Sequence, residues 1–182
     1  DLLGRFERSG LREVFGTWEE FIRAVQRVQL IANRYQTTSI RSQSTISGYV
    51  LTQLSDVEWE ANGLFDAQRT PKQFNHEFAL ANGDYAVALR PHSYSVFSGD
   101  TVDLDVTVVP ARNGKDPITP RGELKILVNG DVVATQDVPV DIWDQVTITV
   151  ALPQISAQYE VRAELWLVGT AVAADAADIL VV

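Results

Sequence analysis

Hydrophobic positions in the first half of the chain predict one long helix. Thr17 and Glu20 have the spacing of a capping box, in which both side chains satisfy backbone N–H groups that are free at a helix start. Apolar residues then recur at spacings of three and four: Phe21, Ile22, Val25, Val28, Ala32 and Tyr35. This spacing predicts an amphipathic helix over roughly 17–40 that packs through one apolar stripe.

Two shorter elements are predicted after this helix. Residues 46–54 are rich in β-branched and aromatic side chains, which favours a buried strand. Thr70-Pro71-Lys72-Gln73 has the composition of a second helix start, and Asn82-Gly83 is typical of a helix that ends in the left-handed conformation. A long helix that leads into a short strand is half of a parallel β/α unit.

From Asp84 onward the hydrophobic pattern changes to short alternating runs. These predict seven strands, at 85–89, 102–108, 123–128, 132–136, 146–150, 159–168 and 171–182. Turn sequences separate them, at Ser98-Gly99-Asp100, Arg112-Asn113-Gly114, Asn129-Gly130-Asp131 and Val168-Gly169-Thr170. Asn129-Gly130 is the strongest hairpin signal, because both residue types tolerate a positive φ. The spacing of runs and turns predicts an antiparallel β-sandwich.

Charge and composition exclude several classes of function. Residues 75–182 contain six basic and fifteen acidic side chains and therefore account for the whole net charge of −9. An acidic surface repels phosphate backbones, so nucleic-acid binding is disfavoured. The chain has no cysteine and only His76 and His92, which argues against thiol chemistry and a structural zinc site. No apolar run approaches the roughly 20 residues of a membrane span, so no membrane partner is expected. No cofactor is expected either.

A run of motifs between Ser47 and Lys72 carries a resemblance to a known family. In order, it contains Gly48-Tyr49, Thr52-Gln53, Asp56-Val57-Glu58, Asn62-Gly63-Leu64-Phe65-Asp66 and Arg69-Thr70-Pro71-Lys72. This pattern resembles the last barrel strand and the following loop of the family 2 glycoside hydrolases, the group of the β-galactosidases and β-glucuronidases. The resemblance covers about 25 residues of the chain.

The resemblance implies an α+β chain. Residues 1–83 would be the C-terminal part of a (β/α)8, or TIM-barrel, catalytic domain, built as helix, strand, loop and helix. Residues 84–182 would be an immunoglobulin-like antiparallel β-sandwich. The parent protein would be a retaining β-glycosidase that hydrolyses O-glycosidic bonds. Its two catalytic glutamates would lie before this chain, so the chain is expected to contain no catalytic residue and to be inactive alone. Asp1 in place of an initiator Met also suggests a piece of a longer protein.

The loop after the predicted strand provides the candidate substrate-binding residues. Sugar recognition needs an aromatic face for C–H surfaces and carboxylates or amides for hydroxyl groups. These groups are supplied by Gln53, Asp56, Trp59, Glu60 and Asn62. Trp59 could instead pack beneath the loop, and Asn62-Gly63 could be a plain turn. Asp56, Glu58 and Glu60 could share one face as a catalytic set, but a solvated acidic loop is the more common outcome.

Other candidate sites have more ordinary explanations. Trp143, in the acidic segment 141–144, could be an exposed sugar platform, although aromatic residues are more often buried. Trp18 and Trp166 are expected to be structural, Trp166 in the core, and both histidines are expected at the surface. Asp100, Asp103 and Asp105 could bind calcium, but they lack the loop pattern of a calcium site. An alternative function is therefore a stand-alone carbohydrate-binding or protein-interaction module.

The expected partners follow from the implied truncation. A carbohydrate substrate would bind through the parent enzyme. One strand and two helices cannot close a barrel, so the strand 46–54 and the helix stripe would lack their usual neighbours. We expect these surfaces to pack on the sandwich, to pair with another copy in a homo-oligomer, or to be poorly ordered. The rest of the parent chain is the partner that would cover them.

Overall fold

The computed structural model describes residues 2–57, 59–111 and 120–182. The chain forms two compact units, the first from residues 1–33 and 50–78 and the second from residues 34–49 and 79–182. The fold is mixed α+β, and the second unit contains a β-sandwich. The predicted domain boundary between residues 83 and 84 stays a prediction. The predicted turn at 112–114 lies outside the described residues.

The helices are α1 (Leu2–Arg8), α2 (Leu11–Phe15), α3 (Trp18–Arg41) and α4 (Asn75–Asn82). The long helix α3 confirms the predicted one, and its capping box is formed. The Thr17 N–H donates to Glu20 Oε2 at 3.1 Å, and the Glu20 N–H donates to Thr17 Oγ1 at 3.2 Å. The short helices α1 and α2 are not predicted by the hydrophobic pattern. Phe6 of α1 packs against Trp18 and Phe21, with ring centroids 5.6 and 5.5 Å away, so the expected structural role of Trp18 is confirmed.

The predicted packing stripe of α3 is wrong in part. Val25 and Val28 of that stripe are exposed, Val28 to 66%. The C-terminal half of the helix instead buries a polar face, formed by Arg34, Thr37, Thr38 and Arg41. Hydrogen bonds to carbonyl and carboxylate oxygens offset the burial of Arg34, Thr38 and Arg41, whereas the Thr37 hydroxyl has no partner among the described residues. Arg41 donates to the Ala81 and Asp84 carbonyls at 3.0 and 2.8 Å, for example.

The predicted buried strand at 46–54 is also wrong. These residues form no strand, and Val50 is 90% exposed. The backbone bonds locally instead: the Ile46 N–H donates to Gln43, and the Leu54 carbonyl accepts the N–H groups of Leu64 and Phe65. A strand is stabilised by ladder hydrogen bonds to neighbouring strands, and none of the described strands provides a ladder for this segment. High β-propensity alone therefore does not produce a strand here.

The second predicted helix exists but begins at Asn75, beyond the predicted start at Thr70-Pro71-Lys72-Gln73. The Asp66 side chain accepts hydrogen bonds from the N–H groups of Gln68 and Thr70, at 2.9 and 2.7 Å. Pro71 forms a bridge with Phe65, so this stretch returns along the loop before α4 begins at Asn75. The predicted left-handed end at Asn82-Gly83 is wrong, because neither residue has a positive φ.

Within residues 2–57, 59–111 and 120–182, eight strands form the two sheets of the sandwich. They are β1 (Ala86–Pro91), β2 (Ser95–Val96), β3 (Thr101–Val109), β4 (Arg121–Val128), β5 (Asp131–Pro139), β6 (Asp144–Ala151), β7 (Ala157–Leu167) and β8 (Thr170–Val181). One sheet has the order β1-β3-β6, and the other has the order β2-β8-β7-β4-β5. All pairings are antiparallel except that of β2 with β8. The seven predicted strands are confirmed, and β2 is the additional one.

Alternating side chains fill the space between the sheets. In β3 and β4 every second residue is buried, which is the expected pattern of a strand with one face on a core. The largest fully buried side chains include Leu89, Leu104, Leu124, Ile126, Leu165 and Ile179. The hairpin between β4 and β5 turns at Asn129 and Gly130, with φ values of 48° and 95°. Both values are positive, as the Asn-Gly signal predicts.

A buried carboxylate lies at one edge of the sandwich. Asp175 of β8 is 1% exposed, and its Oδ2 accepts hydrogen bonds from the Leu89 N–H, Arg90 Nη1 and Thr38 Oγ1, each at 2.9 Å. Arg34 Nε lies 3.5 Å from its Oδ1. Burial raises the pKa of Asp175, while the hydrogen bond from Leu89 and the two arginines act in the opposite direction. One carboxylate thus connects a strand of each sheet to α3.

We expect the substitution Asp175→Asn to destabilise the chain by about 1–3 kcal/mol, because the amide nitrogen cannot accept the hydrogen bonds that the buried carboxylate accepts from Leu89, Arg90 and Thr38. Urea unfolding of both proteins measures the difference. The control Asp131→Asn changes an exposed residue of the β4–β5 hairpin and is expected to alter stability by less than about 0.5 kcal/mol. Equal unfolding midpoints for the wild type and Asp175→Asn would contradict the role assigned to this carboxylate.

Candidate functional site

The loop that contains the predicted site residues is organised around one buried lysine. The Lys72 side chain is 5% exposed. Its Nζ donates to Asp56 Oδ1 at 2.9 Å, to the Ala61 carbonyl at 2.9 Å and to Gln29 Oε1 at 3.2 Å. A lysine ammonium group has three N–H donors and is rarely buried unless it is paired. Each donor here has an acceptor, and one of these acceptors is a carboxylate.

Asp56 and Gly63 close the base of the same loop. The Gly63 N–H donates to Asp56 Oδ1 at 2.7 Å, and the Asp56 N–H donates to the Phe65 carbonyl at 2.9 Å. A Cβ atom on Gly63 would lie 2.5 Å from Asp56 N and 2.6 Å from Ser55 C. Only glycine permits this approach of two backbone segments. Gly63 is therefore required by contact distance, since its φ is not positive.

The two amide candidates take part in the same framework. Gln53 Nε2 donates to Asn62 Oδ1 at 3.0 Å, so these two predicted residues are paired with each other. Gln29 of α3 donates from Nε2 to the carbonyls of Asn62 and Gly63, at 2.6 and 3.0 Å. The side-chain amides of Gln53 and Asn62 therefore bond to each other, and the side-chain amide of Gln29 bonds to the loop backbone.

The tip of the loop carries the exposed candidates. Val57 and Glu60 exchange backbone hydrogen bonds of 2.8 and 3.2 Å, which closes a tight turn. Trp59 lies on this turn and is 95% exposed, so the alternative in which it packs beneath the loop is not observed. The Glu60 side chain is exposed and has no partner among the described residues. An exposed aromatic side chain and an exposed carboxylate thus lie on the same turn.

An open groove of about 610 Å³ runs past this tip, lined by Asp56, Val57, Trp59, Glu60 and Ala67. Small-molecule sites commonly have volumes of about 300–1,000 Å³. Three of the five predicted site residues therefore line one groove, while Gln53 and Asn62 bond to each other. Glu58, the third member of the acidic set, lies outside the described residues. The central role of Lys72 was missed, although the Arg-x-Pro-Lys motif contains it.

The other candidates, apart from His76, lie in the second unit. Trp166 is half-buried on the outer face of its sheet, not in the core, with Lys125 Nζ 4.0 Å from the ring centroid. Trp143 is 40% exposed. Asp103 and Asp105 accept hydrogen bonds from Thr149 and Thr147, at 2.6 and 2.7 Å. The hydrogen bonds that Thr147 and His92 donate lower the pKa of Asp105. His76 and His92 are exposed, as predicted.

No described group of three or more histidine or acidic side chains is arranged to hold a metal ion. Among the helices in the described ranges, none has the length and apolar character needed to cross a membrane.

Comparison with known proteins identifies no family for this chain. No model of a known protein family matches the sequence, and no curated protein matches it. A CARDB domain from Pyrococcus furiosus is 17% identical, with 55% of this chain and 89% of that chain covered and a TM-score of 0.45. Fibronectin(III)-like modules of Clostridium thermocellum CbhA are 13% identical, with 52% and 94% covered and a TM-score of 0.36.

A glycosidase is also among the similar structures. An FMN-binding β-glucuronidase from Faecalibacterium prausnitzii is 13% identical, with 84% of this chain and 22% of that chain covered and a TM-score of 0.34. The helices and the two sheets of the structure themselves define the class, a mixed α+β protein with a β-sandwich. At these identities and scores, the similarity extends to no particular family or activity.

We expect the substitution Gly63→Ala to destabilise the chain by about 1–3 kcal/mol, because the added methyl group overlaps the backbone of Ser55 and Asp56. Gly48→Ala is the matched control, since no heavy atom lies within 4 Å of a Cβ at that position. Thermal or urea unfolding of the two variants measures the difference. A Gly63→Ala variant as stable as Gly48→Ala would show that the close approach is not needed.

Proposed function

We propose that this chain is the C-terminal portion of a retaining β-glycosidase that resembles family 2, and that its loop 53–62 forms one wall of a sugar-binding site. Residues 1–83 would belong to a (β/α)8 barrel and residues 84–182 to an immunoglobulin-like sandwich. The chain contributes no catalytic carboxylate pair under this proposal. Hydrolysis needs two such groups, about 5–5.5 Å apart in retaining enzymes, and these would come from the rest of the parent chain.

The observation that carries the proposal is the exposure of Trp59 beside Glu60 in one groove. An indole left almost entirely in water loses the stabilisation of burial, so its position at a loop tip is better explained by a ligand than by folding. A sugar ring has an apolar C–H face that can stack on the indole. It also has hydroxyl groups that can donate to the Glu60 carboxylate.

Exposed apolar side chains favour a larger parent protein. Val25 and Val28 are exposed on α3, and Val50 and Leu54 are exposed in the segment that the motif would assign to the last barrel strand. Neighbouring apolar side chains that are left in water often mark a surface that another element covers. The remainder of a barrel would supply such elements, and pairing with a second copy of the chain is the alternative way to cover them.

A second candidate function is a β-sandwich module that binds carbohydrate or another protein. It is favoured by the exposed pair Ile142 and Trp143 in the segment between β5 and β6. Such a module would need neither the 47–72 motif nor the groove at Trp59. The two candidates therefore predict different tryptophans at the ligand.

The discriminating experiment is a titration of the ¹⁵N-labelled chain with methyl β-D-galactopyranoside, methyl β-D-glucuronide and methyl β-D-mannopyranoside. Trp59→Phe and Trp143→Phe identify the two indole N–H signals. We expect the Trp59 signal to move and the Trp143 signal to stay, and we expect Trp59→Ala to weaken binding about tenfold through lost stacking. Trp143→Ala is the matched control. Movement of the Trp143 signal alone would favour the module.

The isolated chain is expected not to hydrolyse nitrophenyl β-galactoside, β-glucuronide or β-mannoside, because it lacks the catalytic pair. Absorbance assays with purified protein measure this directly. Robust turnover that is lost in Glu60→Gln would contradict the proposal, since it would place a catalytic carboxylate in this loop.

A further inference from the structure

We propose that Lys72 is the positioning residue of the groove, and that its buried ammonium group holds the turn closed by Val57 and Glu60 so that Trp59 and Glu60 face a ligand. This inference rests on the proposed sugar-binding role of the groove. Lys72 itself is not a ligand contact, because each of its three N–H donors already has an acceptor at 2.9–3.2 Å. Its side chain is also almost completely buried. It therefore acts through the residues that it holds.

The acceptors of Lys72 lie on both sides of the turn. Asp56 immediately precedes Val57, and Ala61 immediately follows Glu60. One ammonium group therefore fixes the residue that enters the turn and the residue that leaves it. The turn between them carries the two side chains that the groove presents. Movement of either end would change the direction of the indole.

The third acceptor, Gln29, connects the Lys72 ammonium group to helix α3. Gln29 is in the middle of α3, and its amide accepts from Lys72 through Oε1 while it donates through Nε2 to the Asn62 and Gly63 carbonyls. Helix α3 thus fixes the position of the turn through Gln29 and Lys72. A site supported by a regular element is positioned more accurately than one supported by a loop alone.

Replacement of the ammonium group has a specific expected effect. Methionine has a similar length but no N–H donor, so Lys72→Met leaves the Ala61 carbonyl and the Asp56 carboxylate without their common donor. The Asp56 carboxylate would lose its ionic partner, so the hydrogen bond that it accepts from the Gly63 N–H opens more often and the base of the loop loosens. The turn then samples several orientations, and the ligand must select the productive one.

The test uses the full ¹⁵N-labelled chain and three variants: Lys72→Met, Lys72→Arg and the control Lys125→Met, which removes a lysine from the outer face of the sandwich. Two measurements need no ligand, namely hydrogen exchange at the Gly63 amide and the line width and shift of the Trp59 indole N–H. The third is the Kd for methyl β-D-galactopyranoside and methyl β-D-glucuronide.

For Lys72→Met we expect Gly63 exchange and the Kd each to rise at least about tenfold, with a shifted Trp59 indole signal. Lys72→Arg keeps the charge, so its Gly63 exchange rate and its Kd are expected to lie between those of Lys72→Met and the wild type. For Lys125→Met, both quantities are expected to stay within about twofold of the wild type. Unchanged Gly63 protection and an unchanged indole signal in a folded Lys72→Met variant would overturn the proposal.

If Lys72→Met does not fold, Lys72→Arg decides the question. A folded arginine variant with wild-type indole signal, Gly63 exchange and Kd would overturn the positioning role, because guanidinium geometry cannot reproduce all three ammonium contacts. A wild-type chain that binds neither glycoside would contradict the proposed function. The positioning of Trp59 by Lys72 would still be decided by the two measurements made without ligand.

Discussion

Removing a charged group from water is unfavourable unless partners replace the lost hydration, and this constraint organises both units of the chain. In the first unit the constraint acts at Lys72, whose three donors draw Asp56, Ala61 and Gln29 to one point. In the second unit it acts at Asp175, where arginine, threonine and backbone donors converge. Apolar contacts can be exchanged with little loss when volume is conserved, whereas a buried ion requires particular partners at particular distances. These two ions therefore set the local geometry around them.

The sandwich could be predicted from the sequence because strand alternation encodes which side chains are buried. In β4, for example, Leu124, Ile126 and Val128 are buried while the residues between them are more exposed. The Asn129-Gly130 turn was predictable for an equally local reason, since few other residue pairs adopt two positive φ values at low cost. The two-residue strand β2 could not be predicted. It depends on pairing with β8, which is remote in sequence, and not on any pattern of its own.

Helix α3 and residues 46–54 show where such patterns stop being informative. Periodicity locates apolar side chains on a helix, but it does not state which face meets another surface. In α3 the buried polar face is stabilised by partners such as Asp84 and Asp175, which lie more than forty positions away in sequence. The segment 46–54 has the composition of a strand, but strand formation requires a neighbour with a matching edge. Both errors therefore arise because the deciding partners are not local.

The candidate site was predictable in composition but not in its internal organisation. Trp59, Asp56 and Glu60 were chosen for their chemistry, and they line one groove. The sequence does not reveal the pairing of Asp56 with Lys72, because the two residues are sixteen positions apart and Lys72 fits the pattern of a helix start. The pairing changes the chemistry assigned to Asp56. A carboxylate that already accepts an ammonium and a backbone N–H has less capacity for a ligand than Glu60, which has neither. Under the proposed sugar-binding role, ligand recognition in this groove would depend on Trp59 and Glu60, with Asp56 acting mainly as part of their support.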